Sequence, residues 1–359
     1  MPSTGPTSAQ SDTSPVRSGE ELNVAALSDY LRRELGTAGP LTVEQFPSGH
    51  SNLTYLLRAD GREYVLRRGP LGPVAPKAHD MAREYRLLKG VHPHFPEAPE
   101  PLLVCEDPSV IGAVFFIMER RHGVILRDKV PEGLASIANY PQHVSEALIA
   151  CLVRLHAVDV AATRLIALGK PEGFLERQVE GWTERWRRAQ VEPIAEMEGV
   201  IRWLEERLPK SPSPTLVHND YKLDNVMFRA GSADQIEAVL DWEMATVGDP
   251  LADVGLALCY WTWATAPQLQ SSRVTPTLSA QPGWYTRDQF VDLYARLSGR
   301  DLSNIGYYEV LGVFKLAVIL QQIYFRYHRG QTADSRFRDF DQRVRGLVSM
   351  AVSLAEQQS

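Results

Sequence analysis

Cysteine is scarce in this chain: Cys105, Cys151 and Cys259 are the three among 359 residues. Odd in number and far apart, they exclude a disulfide framework and a close-spaced zinc site, and the expected setting is a reducing cytosol. Basic charge is not in excess either. Lys and Arg total 38 against 44 Asp and Glu, a formal net charge of −6. With no basic block in the sequence, binding to nucleic acid through phosphate neutralisation is not expected. No uninterrupted apolar run reaches the roughly 20 residues of a membrane span. The most apolar late stretch, 311–325, is broken by Lys315, Gln321 and Gln322, so no membrane partner is expected. The N-terminal segment is rich in Ser, Thr, Pro and Gly without an apolar stretch. It does not read as a secretory signal, and residues 1–22 are expected to form a disordered tail. No repeat recurs at the periods of solenoid arrays.

What is present is the composition of a globular protein, 44% hydrophobic and 23% charged. Apolar residues at helical spacing (Val24, Leu27, Leu31, Leu35) run up to Gly36, a natural stop. Strand-like runs follow at 41–46, 53–58 and 64–67, the last two joined by a turn containing Asp60-Gly61, a hairpin signal. A helix is expected at 78–91, then strands at 102–105 and 114–118. Beyond these the periodicity is helical at 144–158, 173–188, 192–207, 251–262, 288–297, 307–326 and 337–356, with one hairpin within 216–241. The expected fold class is α+β: a β-rich N-terminal lobe over 23–119, a large α-rich C-terminal lobe over 120–359, and a cleft where they meet.

The informative segment is Leu216-Val-His-Asn-Asp-Tyr-Lys-Leu-Asp-Asn-Val-Met-Phe228, followed by Ala238-Val-Leu-Asp-Trp-Glu243. Two short apolar strands flank a Gly-Ser-Ala-Asp turn. A hairpin symmetric about residue 233 places Asn225 opposite Asp241, with Asp220 on the loop before it. An amide oxygen beside a carboxylate suits Mg²⁺, which also keeps waters and takes phosphate oxygens. A lone His-x-Asp is usually structural; the added Asn225 and Asp241 argue for chemistry.

His218-x-Asp220-x-x-x-x-Asn225, with Asp241 at a strand end 16 residues after Asn225, is the arrangement of protein-kinase-like phosphotransferases. The chain resembles the aminoglycoside phosphotransferase/choline kinase group of small-molecule kinases. Within it the likeness is greatest to the kinase domains fused to some acyl-CoA dehydrogenases and their free-standing bacterial relatives. The residues that carry it are VHNDYKLDNVMF (217–228), VLDWEMATVGDPLADVG (239–255), SGHSN (48–52), YVLRRGP (64–70), EYRLL (84–88), FFIMERRHGVIL (115–126) and ERQVEGW (176–182). The resemblance runs from about residue 40 to the C-terminus.

It implies a two-lobed kinase-like fold, ATP and Mg²⁺ as cofactors, and phosphoryl transfer to the hydroxyl of a small-molecule acceptor. Asp220 is expected to orient that hydroxyl and take its proton, Lys222 to meet charge building on the γ-phosphate, and Asn225 and Asp241 to hold Mg²⁺. His218 is expected to support the loop. The position of the phosphate-pairing lysine is Arg67, with Arg68 as the other candidate and Glu84 as the ion-pair partner. Ser48, Ser51 and Asn52 belong to the loop expected over the phosphates, which lacks a full G-x-G-x-x-G. Glu119 to Arg121 are expected to offer backbone groups to the adenine edge.

Other motifs read more plainly. Asp249 before Pro250 is a helix N-cap, and Asp253 is expected to brace the catalytic loop. Trp182, Trp186, Tyr260, Trp261, Trp263 and Tyr324 read as core aromatics before a cation cage. Glu176, Glu180 and Glu184 mixed with Arg177, Arg185, Arg187 and Arg188 do not favour a polycationic acceptor. The dehydrogenase-linked likeness implies a hydroxyacyl-CoA or hydroxy acid; an aminoglycoside or amino alcohol is the alternative. From other classes, a nucleotide-binding pseudokinase and a metal-dependent phosphohydrolase are the rivals.

Overall fold

A computed structural model describes residues 12–47, 52–71, 80–127, 129–262, 278–332 and 334–358. Contacts divide the chain into two compact units, 1–121 and 122–359.

The first unit is a five-stranded antiparallel sheet with a helix on each face. Helix α1 (Val24–Leu35) is capped by the Asn23 side chain and stopped by Gly36 at φ 69°. Strands β1 (Thr42–Gln45), β2 (Leu53–Ala59), β3 (Arg62–Arg68), β4 (Pro101–Cys105) and β5 (Phe115–Glu119) lie in the order β1-β2-β3-β5-β4. Asp60 and Gly61 both have positive φ, the type I′ geometry that matches strand twist in a two-residue hairpin. Side chains alternate across the sheet. Tyr55, Leu57, Leu66, Phe115 and Ile117 join Leu27 and Leu31 of α1 in one core. The alternate β3 face carries Arg67 to α2 (Met81–Val91).

Part of the expected tail belongs to this unit. Ser14 pairs with Gln45, the Tyr55 hydroxyl donates to the Glu20 carbonyl at 2.7 Å, and Leu22 is in the core. The edge strand β1 presents unpaired backbone groups that the segment satisfies, and Val16 and Leu22 are its apolar anchors.

The second unit is helical with two small sheets. Strands β6 (Val124–Ile125), β8 (Val226–Phe228) and β9 (Ile236–Val239) form one, and β7 (Thr215–Val217) pairs with β10 (Thr246–Gly248) in the other. The helices are α3 (Glu132–Ala135), α4 (Tyr140–His156), α5 (Phe174–Ala189), α6 (Ala195–Glu206), α7 (Pro250–Thr262), α8 (Arg287–Ser298), α9 (Ile305–His328) and α10 (Phe340–Gln357). Helix α9 is long and apolar enough to cross a membrane by length and composition, but its apolar window is 67% buried among the other helices. It is the core helix of this unit. Glycines let it approach α7: a Cβ at Gly255 would collide with the Tyr308 backbone, and one at Gly312 would lie 2.8 Å from the Gly255 carbonyl oxygen. That contact places Lys315, one turn beyond Gly312, beneath the loop after β7.

Candidate active site

The loop after β7 is built from below. Asp253 on α7, fully buried, accepts the backbone N–H of His218 at 2.5 Å and of Asn219 at 2.6 Å, and contacts His156 Nε2 at 3.3 Å. Burial alone would raise its pKa; the His156 ring, His218 and the backbone donors outweigh that and hold the carboxyl below its ordinary range. Asn219 sits at φ 63°, a left-handed conformation that a non-glycine residue keeps only where its surroundings impose it. Here they are Asp253 on its N–H, Lys315 Nζ donating to its carbonyl at 3.0 Å, and its own amide donating to the Met244 carbonyl at 3.1 Å. His218 supports the same turn: Nε2 donates to the Leu240 carbonyl at 3.0 Å and Nδ1 accepts from the Asp220 N–H at 3.3 Å. Burial holds the imidazole below its ordinary pKa, so it stays neutral.

The loop presents Asp220. Its Oδ1 accepts from Tyr260 and from Lys222 Nζ, both at 3.0 Å; its Oδ2 accepts from Lys222 Nζ and from Asn225 Nδ2, both at 2.8 Å. These four bonds fill the lone-pair directions of a carboxylate. An incoming hydroxyl must displace a donor. Lys222, also over the Tyr260 ring at 4.8 Å, is the donor that can leave with its charge re-paired, on a phosphate. Burial, with Asp220 beside it, pushes the Tyr260 hydroxyl well above its usual pKa, so it remains a donor.

Asn225 and Asp241 lie at the open end of the β8–β9 hairpin, but not directly opposite one another. Val226 pairs with Val239, and the Leu240 N–H donates to the Asn225 carbonyl at 2.8 Å. The register shifts at Met227/Phe228, so the hairpin is not symmetric about residue 233 and Asn225 faces Leu240. Asp241, next along, has φ 68° and begins a 3₁₀ turn. The donor set fits a hard cation. Asn225 commits its amide N–H groups to Asp220, and its Oδ1 accepts from no donor among the described residues. With the Asp241 carboxylate it offers two oxygen ligands, the number Mg²⁺ takes when waters and phosphates supply the rest. The dense His/carboxylate set of a two-metal hydrolase is not found among the described residues.

In the first unit, Arg67 meets Glu84 at 3.2 Å, with side chains 9% and 2% exposed. Arg68 points to the other face, its Nη1 on the Ile111 carbonyl at 3.2 Å. Of the two arginines, Arg67 therefore has the expected helix partner. Asn52 is buried before β2, while Ser48 and Ser51 lie outside the described residues. The Glu119 N–H is given to the Glu100 carbonyl at 2.9 Å inside the sheet, so it is not a group that could meet an adenine. The Glu119 carboxylate pairs with Arg121 at 2.6 Å, and Arg121 also donates to the Pro96 carbonyl at 2.7 Å.

Two residues at the catalytic loop escaped the sequence reading. Tyr260 lies seven positions after Asp253 on α7, two helical turns along the same face. Lys315 is the charge that interrupts the apolar run of α9. Trp182, Trp186 and Trp261 are buried as expected of core aromatics; Trp263 lies outside the described residues. Asp249 caps α7, accepting the Leu251 N–H at 2.9 Å.

Residues 42–290 match the model of the phosphotransferase enzyme family. Mouse acyl-CoA dehydrogenase family member 10 is 35% identical over 348 residues, 96% of this chain and 32% of that protein. The chain spans less than half the length of the curated relatives it matches. A Ralstonia eutropha structure described as an aminoglycoside phosphotransferase superposes with a TM-score of 0.77 at 30% identity, covering 94% of this chain and 99% of that one. Choline kinase from Cryptosporidium parvum shares the fold at a TM-score of 0.64 and 12% identity, over 93% and 96% of the two chains. On these grounds the chain belongs to the phosphotransferase enzyme family and has its kinase-like α+β fold.

Proposed function

We propose that the protein transfers the γ-phosphoryl group of ATP, in the presence of Mg²⁺, to a hydroxyl of a hydroxyacyl-CoA or hydroxy acid. The observation that carries the reaction is the Asp220 carboxylate held by Lys222, Tyr260 and Asn225 on a braced loop. Asp220 accepts the acceptor O–H, aims its oxygen at phosphorus and takes the proton as the P–O bond forms. A carboxylate is a weak base, which suffices when the transition state is loose and positioning dominates. Lys222 turns from Asp220 to the phosphoryl oxygens. Asn225 and Asp241 are the residues that would hold Mg²⁺, which supplies positive charge against the phosphates. Arg67, fixed by Glu84, is the cation of the first unit assigned to the nucleotide.

The acceptor class is supported by the curated relatives, whose names are those of acyl-CoA dehydrogenases, so that a hydroxylated acyl chain is the substrate they suggest. The buried, unlinked cysteines accord with a cytosolic setting. The test is phosphate transfer from Mg·ATP to a panel of hydroxyacyl-CoAs, hydroxy acids, aminoglycosides and amino alcohols. Asp220→Asn is expected to lower transfer by at least about 10³-fold, the scale of catalysis by a positioned base, and to leave nucleotide affinity within twofold. Equal loss of both would remove the assigned role. Turnover of aminoglycosides alone would replace the acceptor class.

A further inference from the structure

A second cluster lies one residue from Asp220. Lys315 is 6% exposed on the core helix α9, and one of its three N–H bonds goes to the Asn219 carbonyl. The other two meet no acceptor among the described residues. Its ammonium lies over the Trp182 ring at 5.5 Å and lines a small, partly open pocket with room for about one water, beside Gln178, Trp182 and Asn219. Arg185 lies over the same indole at 4.4 Å, exposed on α5 and without an ion-pair partner among the described residues. The neighbouring Glu184 faces Arg188 instead, at 3.7 Å. The carboxylates closest in charge to Lys315 are already engaged, Asp220 by its own donors and Asp253 by the loop N–H groups and His156.

A backbone carbonyl can be satisfied by a neutral donor. Two cations on one indole, one of them buried with spare N–H bonds, are a costly arrangement unless an anion joins them. We propose that Lys315 and Arg185, with Trp182 as the shared wall, form the subsite for an oxyanion carried by the phosphate acceptor. Lys315 is its buried cation, and Arg185, which lies over the same indole outside the pocket lining, its exposed one. The acceptor is then an acid, recognised by a carboxylate or by the phosphates of an acyl-CoA, and a polycation is repelled. The inference rests on the reading of Asp220 as the group that meets the acceptor hydroxyl.

The test is calorimetric titration of two matched pairs, with and without Mg·AMP-PNP: 3-hydroxybutyrate against its methyl ester, and 3-hydroxybutyryl-CoA against 3-hydroxybutyryl-pantetheine. At least one anionic member should bind roughly tenfold tighter than its neutral partner, as expected for charge-assisted hydrogen bonds. The pair that shows it identifies the source of the oxyanion. Arg185→Ala, an exposed position that leaves the core untouched, and Lys315→Met should each reduce the preference to within twofold while Mg·AMP-PNP affinity holds. Equal affinities within both pairs, no binding of either anion, or a preference that survives either substitution would overturn the subsite. Failure of wild-type protein to bind Mg·AMP-PNP would count against the kinase reading instead, and the nucleotide-free titrations would still decide the subsite.

Discussion

Tyr260 and Lys315 act on the catalytic loop in different ways. The Tyr260 hydroxyl occupies one lone pair of Asp220 Oδ1, and in the proposed mechanism it and Asn225 keep the carboxylate aimed once Lys222 turns to the phosphate. Tyr260→Phe should lower kcat roughly tenfold, the worth of one hydrogen bond to a charged group, with the nucleotide KM unchanged; an equal fall in nucleotide affinity would show a general disturbance. Lys315 trades stability for position. Burial brings its pKa down to about 8, against the opposing pull of Asp220 and Asp253 and with the help of Arg185 and Lys222. The sign follows from proton counts. Below pH 8 both folded and unfolded chains hold the proton and the folded state bears the full cost of the buried charge, on the order of 3 kcal/mol. Between about 8 and the ordinary lysine value the unfolded chain binds the proton that the folded chain has released, so stability rises with pH. Lys315→Met should therefore melt above wild type at pH 7, the gap narrowing as pH rises past 8, while turnover falls. Thermal melts across pH 7 to 10 check this; a variant that melts lower throughout would mean the bond to Asn219 outweighs the buried charge.

Helix α7 joins two parts of the site through Asp253: α4 by His156, and the loop after β7 by two backbone amides. An Asp253→Asn side chain has one acceptor oxygen for two amide donors, and its NH₂ would face an N–H. The substitution should cost about 3 kcal/mol, as for breaking a buried charged network, with a lower Tm and a turnover loss larger than the stability loss explains. Thermal melts beside kcat measured well below the new Tm check this. At this scale the sequence was readable where the period is long. The boundaries of α1, α5, α7 and α8 fall within a residue or two of those expected from apolar spacing and caps, and Asp60-Gly61 named its own turn. Strands β6, β7 and β10, of two or three residues, are too short to show alternation and went unseen. The Asn225–Asp241 register was off by one because a bulge is a backbone event that leaves no mark in a symmetric count. Asp220, Asn225 and Asp241 were legible because their spacing is local; Tyr260 and Lys315 reach Asp220 through tertiary packing, the Gly255/Gly312 approach included, which one sequence does not display.

Across the whole molecule, ligand binding is linked to stability. Nearly the full chain aligns with the mouse relative yet covers 32% of it, and this length carries both the Arg67–Glu84 pair and the Asp220 loop. A ligand that binds the folded chain alone adds RT ln(1 + [L]/Kd), about 2.7 kcal/mol at 100 times Kd. Mg·AMP-PNP should raise the melting temperature accordingly. If Asn225 and Asp241 hold the cation, EDTA should remove most of that rise, and Asp241→Ala should remove it with Mg²⁺ still in excess. The variant's own ligand-free melt supplies the reference, since Asp241 starts the turn that follows β9. A rise that is the same with Mg²⁺ and with EDTA would mean that nucleotide binds without the Asn225–Asp241 pair, and the cation would then have to be sought among other oxygen donors. A rise lost in Asp241→Ala but kept in Arg67→Ala would assign the metal to the second unit and leave the clamping of the phosphates to a residue other than Arg67.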